Sequence, residues 1–148
     1  MPTVERADFD LIASWVKPNE RVLDLGCGDG SLLKRLIEER GAFGYGIERE
    51  EAGVLAAIAQ GINVIQGDLE QGLAGFDDGT FNHVVLSRTL QTVRHTERLL
   101  TEMLRVGREA VVSFPNFAYW KNRVAVMRGR MPVSEDLPYK WFDTPNLR

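Results

Sequence analysis

The run Val22-Leu23-Asp24-Leu25-Gly26-Cys27-Gly28-Asp29-Gly30-Ser31 constrains this chain more than any other stretch. A short apolar segment leads into three glycines spaced two apart, and a leucine-rich helical pattern begins directly after them. Glycine enters the left-handed backbone region without steric cost and lets a ligand or another backbone come close. Gly-x-Gly-x-Gly in this setting therefore reads as strand, tight turn and helix, in that order.

The rest of the chain repeats the alternation. Phe9, Ile12, Ala13 and Val16 recur at helical spacing until Pro18-Asn19 breaks the pattern, which predicts a short helix ahead of a first strand over 21–25. A helix over 31–40 buries Leu32, Leu33, Leu36 and Ile37 and stops at Gly41. A strand over 43–47, a helix over 50–60 ended by Gly61, and a strand over 62–66 follow. The loop over 67–80, rich in Gly and Asp, holds at most one turn of helix before a strand over 81–86. A helix over 96–106 turns Leu99, Leu100, Met103 and Leu104 inward, and a fifth strand covers 110–114. Strands alternating with helices are joined by right-handed crossovers into a parallel sheet. The expected class is α/β: a doubly wound, mainly parallel sheet with helices on both faces and strand order 3-2-1-4-5. Such sheets bind ligands beyond the carboxyl ends of strands one and four, so the loops at Gly26 and Ser87 should face each other across the site.

At 148 residues the chain has room for a single domain with one sizeable core. Its net charge of −3 provides no broad positive field, so neither nucleic acid nor an anionic membrane is an expected partner. No apolar run approaches the roughly 18 residues of a membrane helix, and no basic segment precedes an apolar one at the N-terminus; a cytoplasmic protein is expected. Cys27, the one cysteine, cannot form an intrachain disulfide.

Several features bear on the cofactor. The third glycine follows the second by two residues, where the dinucleotide fingerprint has three. Asp24 and Asp29 set carboxylates on both sides of the loop, repelling a pyrophosphate and favouring the ammonium and sulfonium of S-adenosylmethionine. Glu48 ends the second strand about twenty residues past Gly28, the place from which a carboxylate accepts ribose hydroxyls in either kind of cofactor. Asp68, in Gly67-Asp68-Leu69, can accept the adenine amino group while Leu69 packs on the ring, although Asp in a Gly-rich loop is also an ordinary turn residue. Gly26, Cys27, Gly28 and Gly30 make the cradle, with Cys27 lending a backbone amide. No neighbouring His or Lys lowers its pKa, which argues against a nucleophile. Ser87 completes the site from strand four. His83 and His95 lack a Cys or His partner at ligand spacing, so no metal is expected. Neither Ser31 nor Ser87 sits in a Gly-x-Ser-x-Gly elbow.

With these residues in place, the chain resembles the MetW family, a methionine-biosynthesis branch of the S-adenosylmethionine-dependent methyltransferase superfamily, along essentially its whole length. The glycine loop belongs to the wider superfamily. More particular are Gly44-Tyr45-Gly46, Val64-Ile65-Gln66-Gly67-Asp68-Leu69, Leu86-Ser87 with Thr89-Leu90-Gln91, and Ser113-Phe114-Pro115-Asn116-Phe117. Arg128-Gly129-Arg130-Met131-Pro132-Val133 and Leu137-Pro138-Tyr139-Lys140-Trp141-Phe142-Asp143-Thr144-Pro145-Asn146 complete the likeness. The resemblance implies a Rossmann-like class I methyltransferase fold and binding of S-adenosylmethionine or its product S-adenosylhomocysteine. It also implies a role in methionine synthesis beside homoserine O-acyltransferase, and it names no methyl acceptor. Arg49-Glu50 departs from a hydrophobic-Asp pair, Arg148 replaces a His, and Arg88 replaces a Gln. A cation at position 88 would alter the acceptor pocket or oppose the sulfonium.

Superfamily members usually add two strands after the fifth. No stretch after Phe114 offers them, so the C-terminal strands are expected in a longer protein, or another chain is expected to cover the exposed edge. Phe117, Trp120, Val124 and Met127 share a helical face beside Lys121, Arg123, Arg128 and Arg130, which reads first as a core-packed helix with a solvated basic face. This stretch and the aromatic tail at Tyr139, Trp141 and Phe142 are the candidate contact for the acyltransferase. The leading expectation is a methyltransferase-type protein acting on an unidentified small molecule. Its rival is a non-catalytic accessory or regulatory partner of homoserine O-acyltransferase, and a dinucleotide-dependent oxidoreductase is the remote third. No residue is assigned as catalytic; His95 is a weak candidate base.

Overall fold

The computed structural model describes residues 7–87, 89–114, 123, 124, 127 and 128. In chain order it contains α1 (Ala7–Trp15), β1 (Arg21–Leu25), α2 (Ser31–Arg40), β2 (Phe43–Glu48), α3 (Glu51–Ala59), β3 (Val64–Gln66), β4 (Phe81–Ser87), α4 (Thr96–Val106) and β5 (Gly107–Ser113). Short 3-10 turns at Leu69–Gln71 and Leu90–Thr92 flank β4. The sheet has the expected order β3-β2-β1-β4-β5, and every pairing is parallel.

β1 lies at the centre, buried on both faces. Val22 packs with α1, α2 and α3 in a cluster that includes Ile12, Leu33, Leu36 and Ala57. Leu23 and Leu25 point the other way, toward Leu99, Met103 and Val106 of α4. This is why the strand reads as a continuous apolar run broken only by Asp24. Among the described residues α4 is the helix on its face. The β3–β4 connection has just the three-residue turn at Leu69–Gln71, and the outer part of that face, with Phe43, Tyr45 and Ile65, remains exposed.

Two helical faces are narrower than their sequence suggests. α2 buries Leu32, Leu33 and Leu36 but leaves Ile37 37% exposed; α4 buries Leu99 and Met103, half-covers Leu100 and leaves Leu104 64% exposed. Each outlier stands one residue, about 100°, past a buried position, Leu36 or Met103. The third strand starts at Val64, two residues later than expected, because the Ile62 amide still donates to the Ala57 carbonyl in the turn after α3.

The fifth strand starts at Gly107 instead of 110. α4 passes into β5 without a loop residue, and Gly107 pairs with Phe81. A Cβ on Gly107 would come within 2.5 Å of Val84 Cγ2, so a larger residue would force helix and strand apart.

Arg88, Phe117, Trp120, Lys121 and Arg130 lie outside the described residues, as does the aromatic tail at Tyr139, Trp141 and Phe142. Of the basic stretch, Arg123, Val124 and Met127 are helical; the Arg128 amide donates to the Val124 carbonyl, and Met127 is exposed. No helix of the described residues is long and apolar enough to cross a membrane.

Candidate functional site

β1 delivers the glycine loop to the carboxyl end of the sheet. Gly26 has φ +71°, and a Cβ there would lie 2.8 Å from the Thr89 side chain, so a glycine is required both for the backbone and for the approach of the β4–α4 loop. The loops after β1 and β4 thus face each other as expected. The Gly26 and Cys27 amides both donate to the Ile47 carbonyl, at 2.8 and 3.1 Å, and Gly30 donates to the Cys27 carbonyl. The Cys27 amide, expected to face a ligand, is therefore engaged in fastening the loop to β2.

Glu48 holds the middle of the loop. Its Oε2 accepts the Gly28 amide at 2.9 Å, and its Oε1 accepts the Glu50 amide at 2.8 Å. Asp29 has a local role: its Oδ1 accepts both the amide and the hydroxyl of Ser31 at the start of α2. Asp24 is 3% exposed in the middle of the sheet. Cys27 is buried with its sulfur against Gly46. Burial, reinforced by the charges of Asp24 and Glu48, pushes its thiol up to about 12, so it stays protonated at neutral pH and is a poor nucleophile.

A cleft of about 640 Å³ opens above the ends of β1, β2 and β3. It brings together Gly26, Glu48, Asp68 and Leu69 of the expected set. Asp24, Cys27, Gly28, Gly30 and Ser87 do not line it. Gly28 lies behind Glu48 through their hydrogen bond. Ser87 donates to Asp8 Oδ2 at 3.0 Å and accepts from the Ser113 hydroxyl at 3.2 Å, joining α1 to β5. From the segment after β4 the cleft is lined by Thr89, Thr92 and Val93, of which the sequence shows Thr89 only as part of a family stretch.

Asp68 Oδ1 caps the following 3-10 turn by accepting the Glu70 amide at 2.9 Å, while Oδ2 has no protein partner among the described residues. Glu70 links this loop to the start of α4 by accepting the Arg94 amide and His95 Nδ1, the latter at 2.8 Å. Burial opposes its ionisation, but these donors outweigh burial and hold the Glu70 carboxyl below its ordinary value. An ionised Glu70 can only accept, so His95 donates from Nδ1. Arg94, His95 and Arg98 form the wall opposite Glu48 and Asp68. No spacing pattern marks them in the sequence; the β4–α4 loop supplies Arg94 and His95, and the first turn of α4 supplies Arg98. His83 lies at the other end of β4, buried, with Nε2 2.8 Å from Glu20.

The donor set fits a nucleoside cofactor with a cationic tail. Each Glu48 oxygen accepts one amide and retains a second acceptor position, enough for a pair of ribose hydroxyls, and Asp68 Oδ2 can accept an amino group. A pyrophosphate would meet Glu48, Glu50 and Asp68 on the same wall.

Residues 6–148 match the family described as Methionine biosynthesis protein MetW. The bifunctional methionine biosynthesis protein MetXA/MetW of Rhodopirellula baltica is 40% identical over 151 residues, which cover 95% of this chain and 24% of that protein. The chain thus spans about a quarter of that relative's length. Among solved structures, an S-adenosylmethionine-dependent methyltransferase of Thermotoga maritima superposes with a TM-score of 0.66 at 21% identity, covering 82% of this chain and 56% of its own. A second, from Mesorhizobium loti, gives a TM-score of 0.58 at 26% identity, covering 66% of this chain and 47% of its own. The fold is that of these methyltransferases.

Proposed function

The chain belongs to the MetW family of methionine biosynthesis proteins, and from that premise we propose that it binds S-adenosylmethionine or S-adenosylhomocysteine in the cleft above β1, β2 and β3. The observation that carries this reading is the Glu48 carboxylate, tied to the Gly28 amide of the glycine loop and facing a cleft shared with Asp68. In this reading Glu48 accepts the ribose hydroxyls, Asp68 Oδ2 accepts the adenine amino group, Leu69 packs on the ring, and Gly26 lets the chain pass close to the ligand. The amino-acid end lies toward the glycine loop at Gly26, and the carboxylates of the cleft favour ammonium and sulfonium. The charge pattern disfavours a dinucleotide.

When bound, S-adenosylmethionine supplies a methyl group already activated for in-line displacement. What the chain contributes is positioning, which supplies up to about 7 to 11 kcal/mol in favourable cases. The acceptor we propose is a small molecule of methionine biosynthesis. The accessory reading is favoured by two observations: His95 is tied to Glu70 with its side chain 71% exposed, a weak setting for a catalytic base, and the Rhodopirellula relative joins MetXA and MetW in one chain. Homoserine O-acyltransferase is accordingly the proposed partner, and the cytoplasm the proposed site of action.

The experiment mixes full-length protein with homoserine O-acyltransferase and its substrates and follows both methyl transfer from methyl-labelled S-adenosylmethionine and the acyl-transfer rate. Labelled small-molecule product supports the methyltransferase. A cofactor-sensitive change in acyl-transfer rate without labelled product supports the accessory role. Neither change, at micromolar protein, contradicts both.

A further inference from the structure

The cleft has two walls of opposite sign. On the β2–β3 side stand Glu48, Glu50 and Asp68; on the β4–α4 side stand Arg94, His95 and Arg98. The charges on the first wall are partly satisfied within the protein: Glu50 pairs with Arg49 at 3.0 Å, and Glu48 and Asp68 accept backbone amides. Glu70, between the walls, is occupied by the Arg94 amide and His95. The guanidinium groups of Arg94 and Arg98 have no carboxylate within ion-pair distance among the described residues, although both line a cleft with four carboxylates nearby.

Arg94 and Arg98 both line this wall, Arg98 with the Glu102 carboxylate in its field beside Gly72, and an oxyanion matches the planar donor geometry of a guanidinium. The nucleoside placed on the acidic wall does not supply one there. Its base and ribose carry no anion, and its single carboxylate belongs to the amino-acid end, near the glycine loop and away from the nucleobase loop that Glu70 joins to Arg94.

We propose that Arg94 and Arg98 form a second binding subsite in this cleft, for the carboxylate or phosphate group of a small molecule held beside the nucleoside. The inference rests on the cofactor reading above for the position of that nucleoside. It assigns the second ligand, whether methyl acceptor or regulatory metabolite, to the anionic class, and it gives this wall a task that the cofactor does not.

The test is calorimetry on full-length protein saturated with S-adenosylhomocysteine, titrated with inorganic phosphate in one arm and succinate in the other, for the wild type and for Arg94→Gln/Arg98→Gln. The same proteins are titrated separately with S-adenosylhomocysteine and with 5′-methylthioadenosine, which lacks the carboxylate, and melting curves verify that the variant folds. The expected result is binding of at least one oxyanion, weakened ten-fold or more in the double variant, with both nucleosides bound as by the wild type. The arm that binds tells phosphate from carboxylate. No oxyanion binding, or equal binding by the variant, overturns the subsite. So does a ten-fold loss for S-adenosylhomocysteine but not for 5′-methylthioadenosine, since the arginines would then hold the cofactor's own carboxylate. If S-adenosylhomocysteine fails to bind the wild type, the cofactor reading fails, and the oxyanion titrations on the ligand-free proteins decide the subsite separately.

Discussion

Glu48 accepts the Gly28 and Glu50 amides with one oxygen each, so its carboxylate both braces the glycine loop and keeps acceptor capacity toward the cleft. Replacing Glu48 with alanine removes charged hydrogen bonds from the ribose and should weaken S-adenosylhomocysteine binding by about 1.5 to 3 kcal/mol. The half-buried site lets water reach the two freed amides, so the variant should still melt cooperatively. Calorimetry checks this: unchanged affinity in a folded variant would remove Glu48 from the site. Its neighbour Cys27 illustrates the opposite case, a motif residue whose buried thiol and engaged amide leave it a packing role against Gly46.

At the level of elements, α4 gives the sharpest contrast between pattern and packing. Met103 is fully buried between Leu99 and the sheet, whereas Leu104 is 64% exposed. Met103→Ala should cost about 2 to 5 kcal/mol of stability and Leu104→Ala less than about 0.5 kcal/mol. Denaturant unfolding of both variants checks the pair, and equal losses would contradict the packing described. The boundaries of β1, α2 and α4 were legible because a glycine, a polar N-terminal residue or an apolar repeat marks each end. The start of β5 was not, because Gly107-Arg108-Glu109 reads as a loop; only the approach of Gly107 to Val84 shows that the strand has begun. The site divides in the same way. Glu48 and Asp68 were legible as acids at strand ends. Thr89, Arg94 and Arg98 were not, since their meaning comes from how the β4–α4 loop and the start of α4 fold over the sheet, while the Ser87 hydroxyl serves α1 and β5.

Across the whole molecule, carboxylates fasten distant parts of the chain. Glu20 and Glu70 are both held below their ordinary value: burial opposes this in each, but the Lys17 amide and His83 outweigh it at Glu20, and the Arg94 amide and His95 at Glu70. Groups whose folded-state pKa is depressed contribute stability above the unfolded pKa, and that stability is lost as pH falls through the folded value. The melting temperature should therefore hold above about pH 5 and fall as pH drops below about 4. Glu20→Gln and Glu70→Gln should each flatten that fall, and a variant with the wild-type acid profile would contradict its assignment.

The central claim, a cleft built for S-adenosylmethionine chemistry and against a pyrophosphate, is tested most directly by melting full-length protein with S-adenosylhomocysteine and, separately, with NAD. At a hundred times its Kd the first should add about 2.7 kcal/mol, or about 5 to 10 °C in Tm for a chain of this size, and NAD should do much less. A larger shift with NAD, or none with S-adenosylhomocysteine, would contradict the account.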